Sequence, residues 1–351
     1  MSGNRGDMAA VREHFRNQAL ACDRLGSRYN ARLLALAADR LDEAAEPDRR
    51  ILDWPGDPAA DALALRWTGA LHALVLEGRS PSMIDIDDDE ALWQAVRVLM
   101  AAHESFIGTF LDHPPQTNEV ARSAALMPGF QVIHAQTGRP LRLLELGSSA
   151  GLNRLWQHWR YEAGQWSHGN RSARVTLQVD WQGGRPPLAD PVVLSSRGVD
   201  IRPVDIMDHD QRLRLRSYIW PDQPLRLRRL DGAIAQAADS GMTVEQGDAA
   251  DWLEARLAED PDDGVTVIFH SIVWQYLPPS VRRRCRAAIE GAGESGRSVA
   301  WLRMEPDESA SHAVLHLDLW PKRRHFHLAD CHFHGAWVRW HGERGPGGNR
   351  I

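Results

Sequence analysis

A glycine-rich stretch in the middle of the chain, Gly147–Gly151, has the residue types of a ligand-binding turn. The apolar run before it, Leu141–Leu146, predicts a buried strand, and the residues after it predict a helix. Glycine has no Cβ, so a ligand can approach the backbone closely, and a helix start offers free N–H groups to a carboxylate or phosphate. We therefore expect a nucleotide-like ligand here, bound by Gly147, Ser148, Ser149, Gly151 and Asn153, with Glu145 behind the turn.

Two classes of enzyme have turns of this composition. The spacing is GxxxG and not GxGxxG, so the dinucleotide-binding fingerprint is absent. An acid two positions before the first glycine, here Glu145, resembles the first motif of S-adenosylmethionine-dependent methyltransferases. The same residues match GxSxG, the nucleophile elbow of α/β-hydrolases, in which Ser149 would need partners such as Asp248 and His325. Hydrolases place several strands before the elbow, whereas the preceding residues here have helical patterns, which favours the methyltransferase.

Acidic residues follow the next predicted strands. In a Rossmann methyltransferase the second strand ends in an acid that binds the ribose hydroxyls, and Asp200 or Asp180 would fill this role. In VEQGDAADWL, Asp248 and Ala249 stand where such enzymes bind the adenine. Each carboxylate has an alternative role as a helix cap, which is an ordinary use of aspartate at the start of a helix.

The strand Val265–His270 would end beside the transferred methyl group. His270 is a candidate general base because its unperturbed pKa lies near neutrality, and the alternative is a buried histidine held by hydrogen bonds. Glu305, at the end of a later strand, would line the same pocket or be a solvated carboxylate. Trp274 and Tyr276 would form the wall of the substrate pocket or pack in the core.

Polar residues also precede the first strand. Asn118, Glu119 and Arg122 would cover the cofactor, with Arg122 pairing to a carboxylate through its planar guanidinium, unless Glu119 and Arg122 form a surface ion pair. Near the end of the chain, the pairs His325/His327 and His332/His334 would each share one strand face. No clear set of further ligands accompanies them, so we predict no metal site.

The elements that must position these residues begin with helices. Apolar spacing predicts helices through the first third, one of them from about Asp89 to His113, while Asp57–Pro58 predicts a helix start and Thr117 would cap a further helix. Alternating strands and helices then indicate an α/β domain with a Rossmann-like, mostly parallel sheet and a C-terminal antiparallel hairpin. Besides the strands above and that hairpin, we expect strands at Val175–Trp181, Val192–Ile201, Met242–Gln246, Ser298–Met304 and Ala336–Trp340.

These patterns divide the chain into a helical N-terminal region at residues 1–115, a methyltransferase-like domain at 116–342 and a disordered tail at 343–351. The N-terminal helices would cap the pocket. With 351 residues and a net charge of -6, the chain has no overall basic character, so we expect no nucleic acid partner. Three scattered cysteines, no signal peptide and no long apolar run favour a cytoplasmic protein without a membrane partner.

Segments in a fixed order along nearly the whole chain resemble a bacterial family known as domain of unknown function 2332. They include HFRNQALACDRLGSRY, QTNEVARSAALMPGF, LRLLELGSSAGLN, GVDIRPVD, GDAADWL, FHSIVWQYLPP and HGAWVRW. The resemblance implies a methyltransferase-like fold and leaves the reaction open. Our hypothesis is methyl transfer from S-adenosylmethionine to a small-molecule nucleophile; the alternatives are a non-catalytic Rossmann-fold binding protein and a serine hydrolase using Ser149.

Overall fold

The computed structural model describes residues 7–259, 263–309 and 311–342. The predicted tail at 343–351 lies outside the described residues. The chain divides into two compact units, one formed by the residues up to Thr117 together with Asp208–Arg228, and the other by Asn118–Met207 together with the residues from Arg229 onward. The sequence pattern gave a boundary at residue 115 but did not assign 208–228 to the first unit.

The first unit is helical. Its helices are α1 (Met8–Arg24), α2 (Arg28–Arg40), α3 (Glu46–Leu52), α4 (Leu63–Leu76), α5 (Asp89–Ala102), α6 (Glu104–Leu111) and α8 (His209–Ser217). The side chains of Ser27 and Asp88 cap α2 and α5 by accepting main-chain N–H groups. Phe15, Leu34 and Trp67 are fully buried at the centre of its core.

Three helix boundaries differ from the sequence prediction. The helix expected over Asp89–His113 is interrupted at His103, whose extended φ of -130° separates α5 from α6. Asp57 accepts the N–H groups of Ala59 and Ala60, but the turn it caps does not continue and α4 begins only at Leu63. Glu119, not Thr117, caps the next segment, a 3₁₀ turn at Val120–Arg122 that leads into α7 (Ser123–Thr137).

The second unit is an α/β fold built on a nine-stranded sheet. Its strands, in spatial order, are β5 (Asp180–Gly183), β12 (Trp337–Trp340), β11 (Arg324–Cys331), β10 (Ala313–Leu319), β9 (Val299–Pro306), β8 (Val265–Ser271), β1 (Leu141–Leu146), β6 (Val193–Asp200) and β7 (Glu245–Gln246). The strands from β7 to β9 are mutually parallel, and β10, β11 and β12 continue the sheet in antiparallel fashion. The predicted hairpin is β10–β11.

Helices cover the faces of this sheet. On one face α7 is buried along most of its length, with Phe130 against Phe269 of β8 and Gly129 against Leu302 of β9. On the other face, α10 (Ala249–Ala258) and α11 (Pro279–Glu294) pack in a core cluster with Ile268 and Trp301. The remaining long helix is α9 (Pro224–Ser240). No helix among the described residues is both long and apolar enough to cross a bilayer.

Two predictions of the sequence need correction here. The strand expected at Val175–Trp181 is two strands, because β4 (Thr176–Gln178) joins a small sheet with β2 (Arg160–Glu162) and β3 (Ser167–His168), whereas β5 pairs with β12. Alternating exposure is the same in both pieces and does not identify the pairing partner. The helix expected after Gly151 is a 3₁₀ helix, Leu152–His158.

Candidate functional site

The glycine-rich turn follows β1 and is built from three left-handed residues. Gly147, Ser149 and Gly151 have φ angles of +65°, +52° and +75°. Only glycine adopts this region without a steric cost, so the turn requires glycine at both ends and strains Ser149. A Cβ on Gly147 would lie 2.2 Å from Val273 Cγ2, so the side chain after β8 covers this glycine.

Glu145 anchors the turn from below. Its carboxylate is buried, accepts the hydroxyl of Ser148 and lies 3.8 Å from the Nε of Arg154. Arg154 is itself buried and donates to the carbonyl oxygens of Ser196 and Thr243, which join the turn to β6 and to the segment before β7. Burial raises the pKa of Glu145 to about 7, against the lowering effect of Arg154 and Ser148.

Asp200 brings the end of the neighbouring strand to the same turn. One carboxylate oxygen accepts the N–H of Ser149 at 2.8 Å, and the other accepts the N–H of Arg202 at 2.9 Å. Burial raises the pKa of Asp200 while these two hydrogen bonds oppose the change. Asp180 lies on β5, at the opposite edge of the sheet, so of the two candidate ribose acids only Asp200 is next to the glycine-rich turn.

The two candidate partners of Ser149 in the hydrolase alternative make other contacts in the structure. Its Oγ is buried and has no hydrogen-bond partner within residues 7–259, 263–309 and 311–342. The candidate acid, Asp248, caps α10 by accepting the N–H groups of Ala250 and Asp251. The candidate histidine, His325, hydrogen-bonds to Asp318 on β10. It lies on β11, four strand positions from β1, which corresponds to about 19 Å.

His270 and Glu305 form a buried pair at the ends of β8 and β9. Trp301 Nε1, which can only donate, hydrogen-bonds to His270 Nε2 at 3.0 Å. The proton of the neutral ring is therefore on Nδ1, which donates to Glu305 Oε1 at 2.6 Å. His270 is fully buried with both nitrogens engaged, so it is placed to orient Glu305 and offers no free nitrogen to a substrate.

The two carboxylate oxygens of Glu305 differ in their hydrogen bonds. Oε1 also accepts the N–H groups of Val273 and Trp274, at 3.1 and 3.2 Å. Oε2 is buried and makes no hydrogen bond within the part of the chain that the structure describes. Because Val273 also covers Gly147, the loop after β8 connects this carboxylate to the glycine-rich turn.

The two aromatic candidates differ in their surroundings. Trp274 stacks on His270 with ring centroids 4.9 Å apart and also contacts Trp301. Tyr276 is 74% exposed, so it belongs to the surface and not to a core. Trp274 thus supports the position of the His270–Glu305 pair, while Tyr276 is free to meet a ligand.

The polar residues before β1 contact the turn and the neighbouring loops through hydrogen bonds that the sequence did not indicate. Asn118 Oδ1 accepts the N–H of Leu152 at 2.8 Å, and Ser123 donates to Asn153 at 2.9 Å. Arg122 donates to the main-chain oxygens of Ser271 and Phe333. Glu119 is buried and accepts the N–H of Ala121. The bonds of Asn118, Ser123 and Arg122 hold the segment against the loops after β1, β8 and β11.

Comparison with known proteins identifies the family of the chain. The model described as an uncharacterized protein conserved in bacteria, DUF2332, matches residues 12–340. The chain belongs to this family. No curated protein and no solved structure matches it. Membership in DUF2332 therefore does not by itself indicate an activity for the chain.

A cavity of about 370 Å³ lies beside the turn of this DUF2332 chain. Ala150 is the residue of the turn that lines it, and Val204, Ile206, Met242 and Val244 make its wall largely apolar. Asp205 is the one charged residue in that lining. The cavity suits an apolar ring more than a charged group.

Two residues of the site, Arg154 and Val273, were missed in the sequence. Arg154 has a weak signal, a cation nine positions after Glu145 and just beyond the glycine-rich turn. Val273 has none, because its role comes from the approach of two loops that are far apart in the chain.

Proposed function

We propose that the second unit binds S-adenosylmethionine at the carboxyl ends of β1 and β6 and transfers its methyl group to a small nucleophile. The parallel strand order β7-β6-β1-β8-β9 corresponds to chain order 3-2-1-4-5, which is the arrangement of doubly wound nucleotide-binding sheets. The observation that carries the proposal is the hydrogen bond from Ser149 N–H to Asp200, which joins the left-handed turn after β1 to the acid at the end of β6.

The residues present fit part of such a cofactor. Ser149 Oγ is a buried polar atom without a partner in the described residues, and Asp200 is only partly enclosed, so both can bind hydroxyl or amino groups. Val273 already occupies the space over Gly147. The ligand would therefore lie on the Ser149 and Asp200 side of the turn, with its adenine directed to the apolar cavity at Ala150. Asp248 has a structural role as a helix cap and is the weakest member of the predicted set.

The chain's own contribution to the reaction would be positioning and removal of a proton. When bound, S-adenosylmethionine supplies an electrophilic methyl group. Glu305 is the proposed proton acceptor because its Oε2 is free of hydrogen bonds to the described residues, while three donors hold Oε1. His270 is a positioning residue that fixes the carboxylate through Nδ1, and Tyr276 is exposed enough to contact the substrate.

Calorimetric titration with S-adenosylmethionine and S-adenosylhomocysteine tests the proposal. We expect the wild-type protein to bind both ligands, and Asp200→Asn to weaken binding by at least about tenfold because one ligand hydrogen bond to a charged group is lost. Asp180→Asn is the matched control, since Asp180 is the other candidate acid and lies at the far edge of the sheet. Absence of binding to the wild type, or equal binding by Asp200→Asn, would overturn the assignment.

Turnover distinguishes an enzyme from a binding protein. If the wild-type protein binds the cofactor and methylates any member of a nucleophile panel, Glu305→Gln should lower kcat with little change in cofactor affinity. Cofactor binding without turnover on any nucleophile would favour the non-catalytic alternative.

A further inference from the structure

The antiparallel end of the large sheet carries a cluster of histidines that the proposed function does not use. His316 of β10 lies between His325 and His327 of β11, with ring centroids 5.1 Å from each. His341, which follows β12, lies 4.8 Å from the His327 ring. The main-chain N–H of His341 donates to the carbonyl of Leu328, which fixes it beside β11.

A β-bulge sets the spacing of the cluster. Leu315 pairs with Ala329 but His316 pairs with His327, so Leu328 is an extra residue in β11. In a regular strand, residues 327 and 330 would point to opposite faces. The bulge re-aims the chain so that His327 and Asp330 share one face, in the way that bulges often redirect side chains at functional sites.

The three polar side chains converge on one point. His327 Nε2 lies 2.7 Å from Asp330 Oδ1, and His341 Nε2 lies 3.1 Å from Asp330 Oδ2. One ligand atom from each residue lies within 4.8 Å of the others. The Nε2 of His341 is a buried atom with no well-formed hydrogen bond among the described residues. Ligand atoms of a bound zinc ion lie about 2.0–2.2 Å from the metal and therefore about 3.3–3.6 Å from one another. Small side-chain shifts, which separate His327 Nε2 from Asp330 Oδ1, would admit the ion.

We propose that His327, Asp330 and His341 bind a divalent transition-metal ion, with zinc as the reference case. Two imidazole nitrogens and one carboxylate favour zinc and its neighbours over calcium or magnesium, which prefer oxygen ligands. Three protein ligands leave a coordination position for water. All three side chains are partly exposed, so an ion can enter from solvent.

The groups around the triad permit a cation there. The guanidinium of Arg339 lies 3.8 Å from Asp330 and is 57% exposed, so it can turn to solvent. His312 Nε2 lies 3.7 Å from Asp330 Oδ1 and could approach the ion as a further ligand.

Binding has a defined proton balance. In the metal-free state the hydrogen bond between His327 Nε2 and Asp330 requires one proton, carried by the imidazole when Asp330 is ionised. A metal takes both the nitrogen lone pair and the carboxylate oxygen, so His327 must move its proton to Nδ1 or release it to solvent.

Titration of the full, tag-free and chelator-treated chain with zinc tests the site. We expect one ion per chain, with affinity reduced roughly 100-fold or more in Asp330→Asn and in His341→Ala. His325→Ala is the matched control, because His325 is two residues from His327 and hydrogen-bonds to Asp318 instead. Cobalt is a second probe, and bound Co²⁺ should show the visible absorption bands of a low-coordinate ion. These bands should disappear when zinc displaces the cobalt.

Three results would overturn this proposal. They are no stoichiometric zinc binding by the wild type, retained binding in both folded triad variants, or an equal loss in His325→Ala. Thermal unfolding of each variant shows that it is folded, and the two independent variants keep the test valid if one fails. Calcium and magnesium should not compete at concentrations about 100-fold above zinc. The result does not depend on whether the chain binds S-adenosylmethionine.

Discussion

Glu145 shows how one buried side chain makes the turn sensitive to pH. Burial raises its pKa in the folded state from the ordinary 4.5 to about 7, so between these values the folded state holds the proton and the unfolded state has released it. The contribution of Glu145 to the free energy of unfolding therefore falls as pH rises through this range, by about 1.4 kcal/mol per unit of pKa difference. The charge of Arg154 keeps the pKa of Glu145 lower than burial alone would make it.

Glu145→Gln should remove this part of the pH dependence. Urea unfolding at several values between about pH 5 and pH 8 would show a steeper decline for the wild type than for the variant. Glu162→Gln, at an exposed position on β2, is the control and should leave the slope unchanged. A variant with the wild-type slope would mean that Glu145 is not protonated in the folded state at neutral pH.

At the scale of elements, the contact between the glycine-rich turn and the loop after β8 should contribute to stability. Gly138 and Gly147 have the same φ of +65°, but a Cβ on Gly138 would meet nothing within 4 Å, whereas one on Gly147 would meet Val273. Gly138→Ala should cost about 1 kcal/mol from backbone strain alone. Gly147→Ala should cost about 1–3 kcal/mol more, from overpacking.

Denaturant unfolding of the two alanine variants measures this difference. Adding Val273→Ala to Gly147→Ala should recover part of the excess loss, which a double-mutant cycle isolates. Equal losses at the two glycines would mean that the loops do not meet as described.

The strand at Leu141–Leu146 was predicted with correct bounds because four of its six residues are leucines, a composition typical of a strand buried in a parallel sheet. The pattern at Val175–Trp181 failed because pairing depends on residues far away in the chain. Asp200 was named in the sequence, but its choice over Asp180 required the strand order.

The proposed metal ligands His327, Asp330 and His341 could not be predicted from the sequence for a similar reason. The two-residue spacing of His325 and His327 is visible in the sequence, but the bulge at Leu328 changes which later residue shares their face. His341 joins only because its main chain pairs beside β11. An alternating sequence pattern does not reveal the position of a β-bulge, and it does not reveal which later segment pairs beside a strand.

At the scale of the whole molecule, the helical unit depends on a segment that the chain supplies about 200 residues later. Asp222 accepts the hydroxyl of Ser27 at 2.7 Å and the N–H of Tyr29 at 3.0 Å, at the start of α2. Asp222→Ala leaves these donors without a charged acceptor and should destabilise the helical unit by about 1–3 kcal/mol. Amide exchange should quicken in α1 and α2 and remain unchanged in β1 and β8.

The control for this experiment is Asp210→Asn, because Asp210 lies in the same late segment and its side chain is 91% exposed. It should not alter exchange in any helix. Uniformly faster exchange across the sheet in Asp222→Ala would contradict the assignment of 208–228 to the first unit.

The most direct test of the proposed cofactor site is amide exchange with and without saturating S-adenosylhomocysteine. The account predicts slower exchange in two segments, the turn from Gly147 to Asn153 and the end of β6 around Asp200, with protection reduced in Asp200→Asn. No change in either segment, or protection confined to other parts of the chain, would contradict the claim that the ends of β1 and β6 form the binding site.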